Sequence, residues 1–205
     1  MSLLTVGTVA FDAIETPFGK TDKIVGGAAT YISLAASYFT NDIDLISTIG
    51  GDFPDDVVKD MNDRGIKTEG LQIHADRKSF FWSGRYHNDM NSRDTLATEL
   101  NVLEDFEPIV PESAKNADFV MLGNLTPAVQ KSVIAQMGSR PKLIAMDTMN
   151  FWMEVAMDDL KETLKEIDVL LINDEEARQL SNEYSLVVAA EKILQQFFFD
   201  EDIIT

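Results

Sequence analysis

Short apolar runs alternate along the chain with longer segments in which apolar residues recur at helical spacing. Runs that are nearly all apolar are typical of strands buried on both faces of a parallel sheet. Strands are therefore predicted at Leu3 to Val9, Ile43 to Ile49, Phe119 to Leu122, Leu143 to Met146 and Val169 to Ile172. Alternation of strands with helices implies right-handed crossovers and an open sheet covered on both sides.

The segments between these runs carry helix starts and stops as well as helical periodicity. Pro54 and Pro127 stand at favourable first helical positions, and Gly65 and Gly138 mark the corresponding ends. Helices are predicted at Ala28 to Phe39, Pro54 to Gly65, Pro127 to Gly138, Leu160 to Ile167, directly after Asn173, and Ala189 to Gln196.

One region departs from this rhythm. Ser79 to His87 alternates with period two and is rich in aromatic residues, which predicts a strand with two distinct faces. The polar stretch Asn88 to Arg93 predicts a turn. With Ile14 to Val25, this region predicts a small sheet projecting from a single domain of residues 1–205. Its lid segments would lie near residues 13–25 and 74–100; an edge hairpin without a ligand role is the alternative.

The composition narrows the classes of partner and of chemistry. The 35 acidic and 17 basic residues give a net charge of −18, which argues against binding to nucleic acid or to an anionic membrane surface. The absence of cysteine excludes disulfides, thiolate metal sites and thiol nucleophiles. Without a signal-peptide pattern at the start or an apolar stretch of membrane-spanning length, a cytoplasmic location is expected.

Small or polar residues follow every predicted strand. In parallel sheets the carboxyl ends of the strands share one edge, where ligands bind. Any one of these groups alone would be interpreted as a turn former or helix cap, but the five together indicate a cleft that binds a polyol beside a magnesium site. They are Asp12, Gly50-Gly51-Asp52, Gly123-Asn124, Asp147, and Asn173 to Glu176.

Gly26 and Gly27 precede the first predicted helix. Two glycines at this place let a ligand approach the backbone, where first-turn N–H groups point outward; a tight connection without ligand is the alternative. The chain has no Gly-x-Gly-x-x-Gly, Walker-type Gly-Lys-Ser/Thr or Gly-x-Ser-x-Gly motif, which disfavours an ordinary dinucleotide fold, a P-loop enzyme and a serine hydrolase. His74 and His87 do not suggest a zinc pair.

Several stretches in order resemble the ribokinase-like (pfkB-type) carbohydrate kinase family. The resemblance implies a Rossmann-like α/β/α sandwich with a mostly parallel sheet and a small β-sheet lid. It also implies ATP and Mg²⁺ as cofactors and a sugar or cyclitol as substrate. The stretches that carry it are Gly7 to Asp12, Gly26 to Tyr31, Ile49 to Asp52, Asp147 to Asn150 and Asn173 to Glu176.

The resemblance also implies roles for individual residues. Asn173 and Glu176 match the Asn-x-x-Glu motif that organises magnesium and phosphate, and Asp147 would lie near the metal with Glu176. Asp12 matches a carboxylate that binds sugar hydroxyls. The substrate-binding set implied in this way, with lid and strand-end residues included, is Asp12, Gly26, Gly27, Tyr31, Asn124 and Arg85.

The chain departs from the family pattern in two respects. Tyr31 stands where many members carry a sugar-binding Asn, and Ala10 where ribokinases carry a polar residue, so a substrate other than ribose is expected. No Gly-Ala-Gly-Asp motif, which supplies the family's catalytic base, occurs in the 205 residues. We therefore expect the N-terminal part of a kinase, cut at Thr205, without useful kinase activity and with no catalytic residue of its own.

Two other interpretations of the chain stay open. It could be a non-catalytic sugar-binding or regulatory module, or a gene fragment without a working site. Uncovered apolar surface and a free sheet edge would favour self-association, and a homodimer through the lid or the sheet edge is a further expectation.

Overall fold

A computed structural model describes residues 1–90 and 92–198 of the chain. The strands are β1 (Leu3–Val6), β2 (Ala10–Thr16), β3 (Gly19–Lys20), β4 (Ile24–Gly26), β5 (Ile43–Gly50), β6 (Ile66–Lys67), β7 (Leu71–His74), β8 (Phe81–Tyr86), β9 (Arg93–Glu99), β10 (Phe119–Leu122), β11 (Leu143–Asp147) and β12 (Val169–Leu171). The α-helices are α1 (Ala28–Ala36), α2 (Asp55–Asp63), α3 (Pro127–Ala135), α4 (Asn150–Val155), α5 (Met157–Leu164), α6 (Asp174–Ser181) and α7 (Leu186–Phe197).

Within residues 1–90 and 92–198, seven strands form a parallel main sheet in the order β12-β11-β10-β1-β5-β6, with β7 also paired to β5. All eight residues of β5 are buried, as expected for a strand covered on both faces. Because every pair in this sheet is parallel, the carboxyl ends of its long strands point to a common edge. The polar strand ends that were predicted to line a cleft lie along that edge.

Helices cover both faces of the main sheet. On one face, Val133 of α3 and Leu160 of α5 pack with Leu4 and Ile144. On the other, Ala29 of α1 and Met61 of α2 pack with strand residues that include Ile43 and Leu45. The predicted α/β/α sandwich is confirmed.

A second, smaller sheet stands apart from the first in the order β3-β2-β8-β9, with β4 also paired to β2. The β2–β8 pair is parallel and the other pairs are antiparallel. Side chains therefore alternate between two faces: Asp12 and its partner Trp82 share one face, and Glu15 and its partner Arg85 share the other.

Several predicted boundaries differ from the observed ones. The predicted strand Leu3 to Val9 ends at Val6, because the chain turns at Gly7 and begins β2 at Ala10. Asp12 consequently lies within the small sheet and not in a loop after the first strand. The helix predicted to Phe39 ends at Ala36, and α4 was missed because its six residues are too short for a periodic pattern.

Parts of two predictions fall on residues without a description. Residue 91, within the predicted turn Asn88 to Arg93, and the terminus ending at Thr205 lie outside the described residues. Within 1–90 and 92–198, no helix combines the length and apolar character needed to cross a bilayer.

Candidate active site

The Asp12 carboxylate lies over the backbone of Gly26. Asp12 is on β2 and Gly26 ends the neighbouring strand β4, with Ala10 as its cross-strand partner. A Cβ atom at Gly26 would overlap the Oδ2 and Cγ atoms of Asp12. Only glycine therefore leaves room for this carboxylate to lie where it does.

Gly27 anchors the same carboxylate from the other side. Burial raises the pKa of Asp12, and a hydrogen bond donated by the Gly27 backbone N–H opposes that rise. Gly27 has a φ of 97°, and a Cβ atom there would overlap the carbonyl oxygen of Thr8. Gly26 thus leaves space for the Asp12 carboxylate, and Gly27 supplies one of its hydrogen-bond donors.

Thr8 occupies the N-terminus of α1. The Ala28 N–H donates to Thr8 Oγ1 at 2.9 Å, and the Ala29 N–H donates to the Thr8 carbonyl at 3.0 Å. These two N–H groups, expected from the sequence to face a ligand, are already satisfied by protein. Sequence reasoning missed Thr8; the available signal was a hydroxyl residue just after the first strand.

Asn124 follows β10, between the start of α1 and the residues that follow β11. Gly123, directly after β10, lies against Ala28 at the start of the helix. The Asn124 amide is held in place: its Oδ1 accepts from Trp152 Nε1 at 2.8 Å, and its Nδ2 donates to Met149 Sδ at 3.2 Å. Trp152 lies on α4 and was not found from the sequence.

Tyr31 and Arg85 differ in their relation to Asp12. The Tyr31 hydroxyl donates to the Val25 carbonyl at 3.3 Å from the first turn of α1, with 56% of the residue exposed. Arg85 Nε donates to Glu15 Oε1 at 2.9 Å on the opposite face of the small sheet. The structure brings Asp12, Gly26, Gly27 and Tyr31 together. The Asn124 side chain instead contacts Met149 and Trp152, which follow Asp147. Arg85 lies on the opposite face of the small sheet, because strand alternation turns it away from Asp12.

At the end of β5, the polar groups of Gly50, Gly51 and Asp52 are hydrogen-bonded to other parts of the protein. The Gly50 N–H donates to Ser79 Oγ at 3.0 Å, and the Gly51 N–H donates to the His74 carbonyl, also at 3.0 Å. Asp52 accepts from Lys23 Nζ at 2.8 Å and from the Ser79 N–H at 2.7 Å. This end therefore ties the small sheet to the main sheet and leaves its polar groups bonded to protein.

Asp147 ends β11 at the carboxyl edge of the main sheet. Its Oδ1 atom is buried, and no hydrogen-bond partner for it occurs among the described residues. Burial, and then the charge of Glu176, raise its pKa to about 7. The strand end itself is fixed by Gln130, whose Nε2 donates to the carbonyls of Asp147 at 3.0 Å and Gly123 at 3.1 Å.

Asn173 and Glu176 form a capping box at the start of α6. The Glu176 N–H donates to Asn173 Oδ1, and the Asn173 N–H donates to Glu176 Oε2, both at 2.9 Å. Burial raises the pKa of Glu176, while the Asn173 N–H and the charge of Arg93 on β9 oppose the rise. Arg93 therefore brings positive charge from the small sheet to this carboxylate.

The donor set at this end suits magnesium better than a metal that needs a full protein cage. Within the described ranges, no group of three or more His, Asp or Glu side chains could hold an ion by itself. Magnesium keeps several waters and binds through one or two carboxylates plus phosphate. The unpartnered Asp147 oxygen beside Glu176 fits that mode.

Known proteins share this fold and sequence pattern. The family model described as pfkB family carbohydrate kinase matches residues 2–201. The cytidine kinase of Thermococcus kodakarensis is 23% identical over 185 residues, covering 88% of this chain and 64% of that protein. The chain thus spans 64% of the length of this curated relative.

Two solved nucleoside kinases have the same fold. The Burkholderia thailandensis nucleoside kinase in complex with inosine gives a TM-score of 0.74 at 17% identity, covering 95% of this chain and 67% of that one. The Methanocaldococcus jannaschii nucleoside kinase, an archaeal member of the ribokinase family, gives 0.70 at 18% identity, with coverages of 94% and 68%. On the family match, this chain belongs to the pfkB family of carbohydrate kinases.

Proposed function

We propose that this chain provides the acceptor-binding part of an ATP-dependent kinase that phosphorylates a hydroxyl group of a sugar, cyclitol or nucleoside. The observation that carries the proposal is the Asp12 carboxylate, laid over Gly26 and anchored by the Gly27 N–H at the cleft. A carboxylate accepts several hydrogen bonds at once. Neighbouring hydroxyl groups on one ring are a matching set of donors.

The other end of the cleft suits the phosphate side of such a reaction. Asp147 and Glu176 would hold a hydrated Mg²⁺, with Asn173 keeping Glu176 in place through the capping box. When bound with ATP, that ion would neutralise phosphate charge. The basic side chain of Arg93 would add positive charge from the small sheet.

The relatives support a small-molecule acceptor and extend the candidate acceptors from sugars and cyclitols to nucleosides. One is a cytidine kinase, and another was solved with inosine. Both are nucleoside kinases, so we add nucleosides to the sugars and cyclitols expected from the sequence.

Calorimetry on the 205-residue chain tests the acceptor site. The panel would contain inosine, cytidine, ribose and myo-inositol, without nucleotide. Asp12→Asn is expected to weaken binding about 10- to 100-fold, since a hydrogen bond to a charged group contributes about 1.5–3 kcal/mol. Glu15→Gln, on the same strand but the opposite face, should leave the affinity unchanged. Equal affinities for wild type and Asp12→Asn would refute the site, and no binding to any compound would favour a fragment without a working site.

A second candidate is a binding or regulatory module without catalysis. The observation in its favour is that Gly-Ala-Gly-Asp, which supplies the family's base, does not occur in these 205 residues. We therefore expect no conversion of ATP to ADP by this chain with any compound of the panel. Clear turnover would refute that expectation and support direct catalysis.

Self-association is proposed on separate grounds. Among the described residues β12 is the outer strand of the main sheet, with Val169 37% and Leu171 49% exposed, and a strand edge without a partner invites pairing. Sedimentation velocity at several concentrations should show a species larger than the monomer. A monomer at every concentration would exclude association through β12 or the small sheet.

A further inference from the structure

The indole of Trp82 lies along the surface of the small sheet. A Cβ atom at Gly84 would overlap Cη2 and Cζ2 of Trp82, so the six-membered ring covers the Gly84 backbone. On its other side, Nε1 is 3.4 Å from Thr95 Oγ1 on β9. Contacts with both neighbouring positions hold the ring down against the strands, which leaves its outer face directed away from the sheet.

This ring lies directly beside the proposed hydroxyl-binding carboxylate. Asp12 and Trp82 are register partners on adjacent parallel strands, and Ile14 and Gly84 are the next partners on the same face. Adjacent strands are about 4.8 Å apart, and two residues along a strand cover about 6.6 Å. The indole therefore begins next to Asp12 and extends from it over Gly84, alongside Ile14.

We propose that Trp82 is the stacking surface for the base of a nucleoside whose ribose hydroxyls bind Asp12. The inference rests on the proposed function and narrows its substrate class. Beside the ring, Ile14 and Gly84 offer no side-chain hydrogen bonds and Thr95 Oγ1 already lies against the indole Nε1, so a second sugar would leave most of its hydroxyls unpaired there. A planar base instead places an apolar π-face on the indole.

Three variants on this face separate stacking from hydroxyl binding. Trp82→Ala removes the surface, Trp82→Phe keeps a smaller ring without the Nε1 donor, and Gly84→Ala displaces the indole by adding a Cβ where the ring lies. The matched ligands are inosine or cytidine and methyl β-D-ribofuranoside, which keeps the ribose and replaces the base by a methyl group. Calorimetry measures each affinity on the full 205-residue chain.

The expected result is a selective loss. Stacking of a base on an aromatic ring contributes about 1–3 kcal/mol by alanine substitution, so Trp82→Ala should weaken nucleoside binding about 10- to 100-fold. Gly84→Ala should weaken it in the same direction, and Trp82→Phe should lose less. The affinity for methyl ribofuranoside should stay within about twofold in all three variants. In the wild type, nucleoside binding should quench tryptophan fluorescence, and the quench should disappear in Trp82→Phe.

The outcomes that overturn the inference differ from those that overturn the proposed function. If wild type binds methyl ribofuranoside as tightly as inosine, or if Trp82→Ala weakens both equally, the stacking role is wrong while Asp12 binding stands. If Trp82→Ala changes only the sedimentation coefficient, the indole is covered by a second copy. If wild type binds none of the ligands, the proposed function itself fails.

Discussion

Asp12 and Asp147 are both partly buried carboxylates with a raised pKa, but they differ in the hydrogen bonds available to them. Asp12 lies over Gly26 and accepts the Gly27 N–H. Asp147 has a buried oxygen with no partner in the described part of the chain, and its pKa is raised to about 7. Burial raises the pKa of both carboxylates; the Gly27 N–H partly offsets that rise at Asp12, whereas Glu176 adds to it at Asp147.

From this difference we propose different ligands for Asp12 and Asp147. A carboxylate with its position fixed in advance loses little conformational entropy when it binds hydroxyls. A buried carboxylate without donors, next to a second acid, is costly to ionise until positive charge arrives. We therefore propose that Asp12 receives a neutral polar ligand and that Asp147 receives a cation.

The largest expected effect concerns Asp147, whose buried Oδ1 has no hydrogen-bond partner among the described residues. The pKa of Asp147 rises from 3.8 to about 7 on folding, so the folded state binds more protons between those values, and stability falls as pH rises through that window. Asp147→Asn removes this penalty. In metal-free buffer the variant should match wild type near pH 4 and exceed its free energy of unfolding by up to about 4 kcal/mol above pH 7.

Urea unfolding at a series of pH values with a chelator measures this difference. Asp105→Asn is the control, because Arg77 holds the pKa of Asp105 below its usual range. That variant should show no gain in stability with rising pH. A pH-independent difference between Asp147→Asn and wild type would show that Asp147 is ionised without penalty, and the contrast between Asp12 and Asp147 would fail.

The next effect concerns Asp12 and the glycine beneath its carboxylate. Gly26→Ala places a Cβ into the space of the Asp12 carboxylate, so the carboxylate must leave its position and its Gly27 donor. We expect acceptor affinity to fall by as much as in Asp12→Asn, about 10- to 100-fold. Calorimetry with the same panel measures it, and the circular dichroism spectrum checks that the fold is kept.

The double variant Gly26→Ala/Asp12→Asn sharpens this test. Because both single changes remove the same group from the site, the double variant should bind no more weakly than either one. Additive losses would mean that Gly26 contributes to binding independently of Asp12. The proposed role of Gly26 in making space for the Asp12 carboxylate would then be incorrect.

The surroundings of Asp12 and Asp147 also differ in how far the sequence predicted them. The main sheet was predictable because its strands are nearly continuous apolar runs, and Asp147 and Asn173 follow two of them directly. The small sheet is half exposed, and its faces depend on register. The face on which Arg85 lies was therefore not predictable: nothing local in the sequence reveals that β2 pairs with β8 such that Glu15 faces Arg85.

Contacts between distant segments could not be predicted either, because they too depend on how the elements pack in the fold. Thr8 meets the start of α1 only because β1 ends beneath it, and Trp152 reaches Asn124 from a helix too short to be predicted. The carboxylates and glycines could be predicted as a set from their order along the chain. Their hydrogen-bond partners required the fold.

The smallest expected effect concerns Thr8, which accepts hydrogen bonds from the first residues of α1. Thr8→Val removes the hydroxyl that accepts the Ala28 N–H at 2.9 Å and keeps a similar shape. Loss of a side-chain partner at a helix N-terminus costs about 1 kcal/mol. Urea unfolding should show that loss, and acceptor affinity should fall only slightly, because the Ala29 N–H keeps its bond to the Thr8 carbonyl. Thr8→Ser restores the acceptor and should recover the stability. A Thr8→Val variant as stable as wild type would mean that water replaces the hydroxyl and that the Ala28 N–H is available to a ligand.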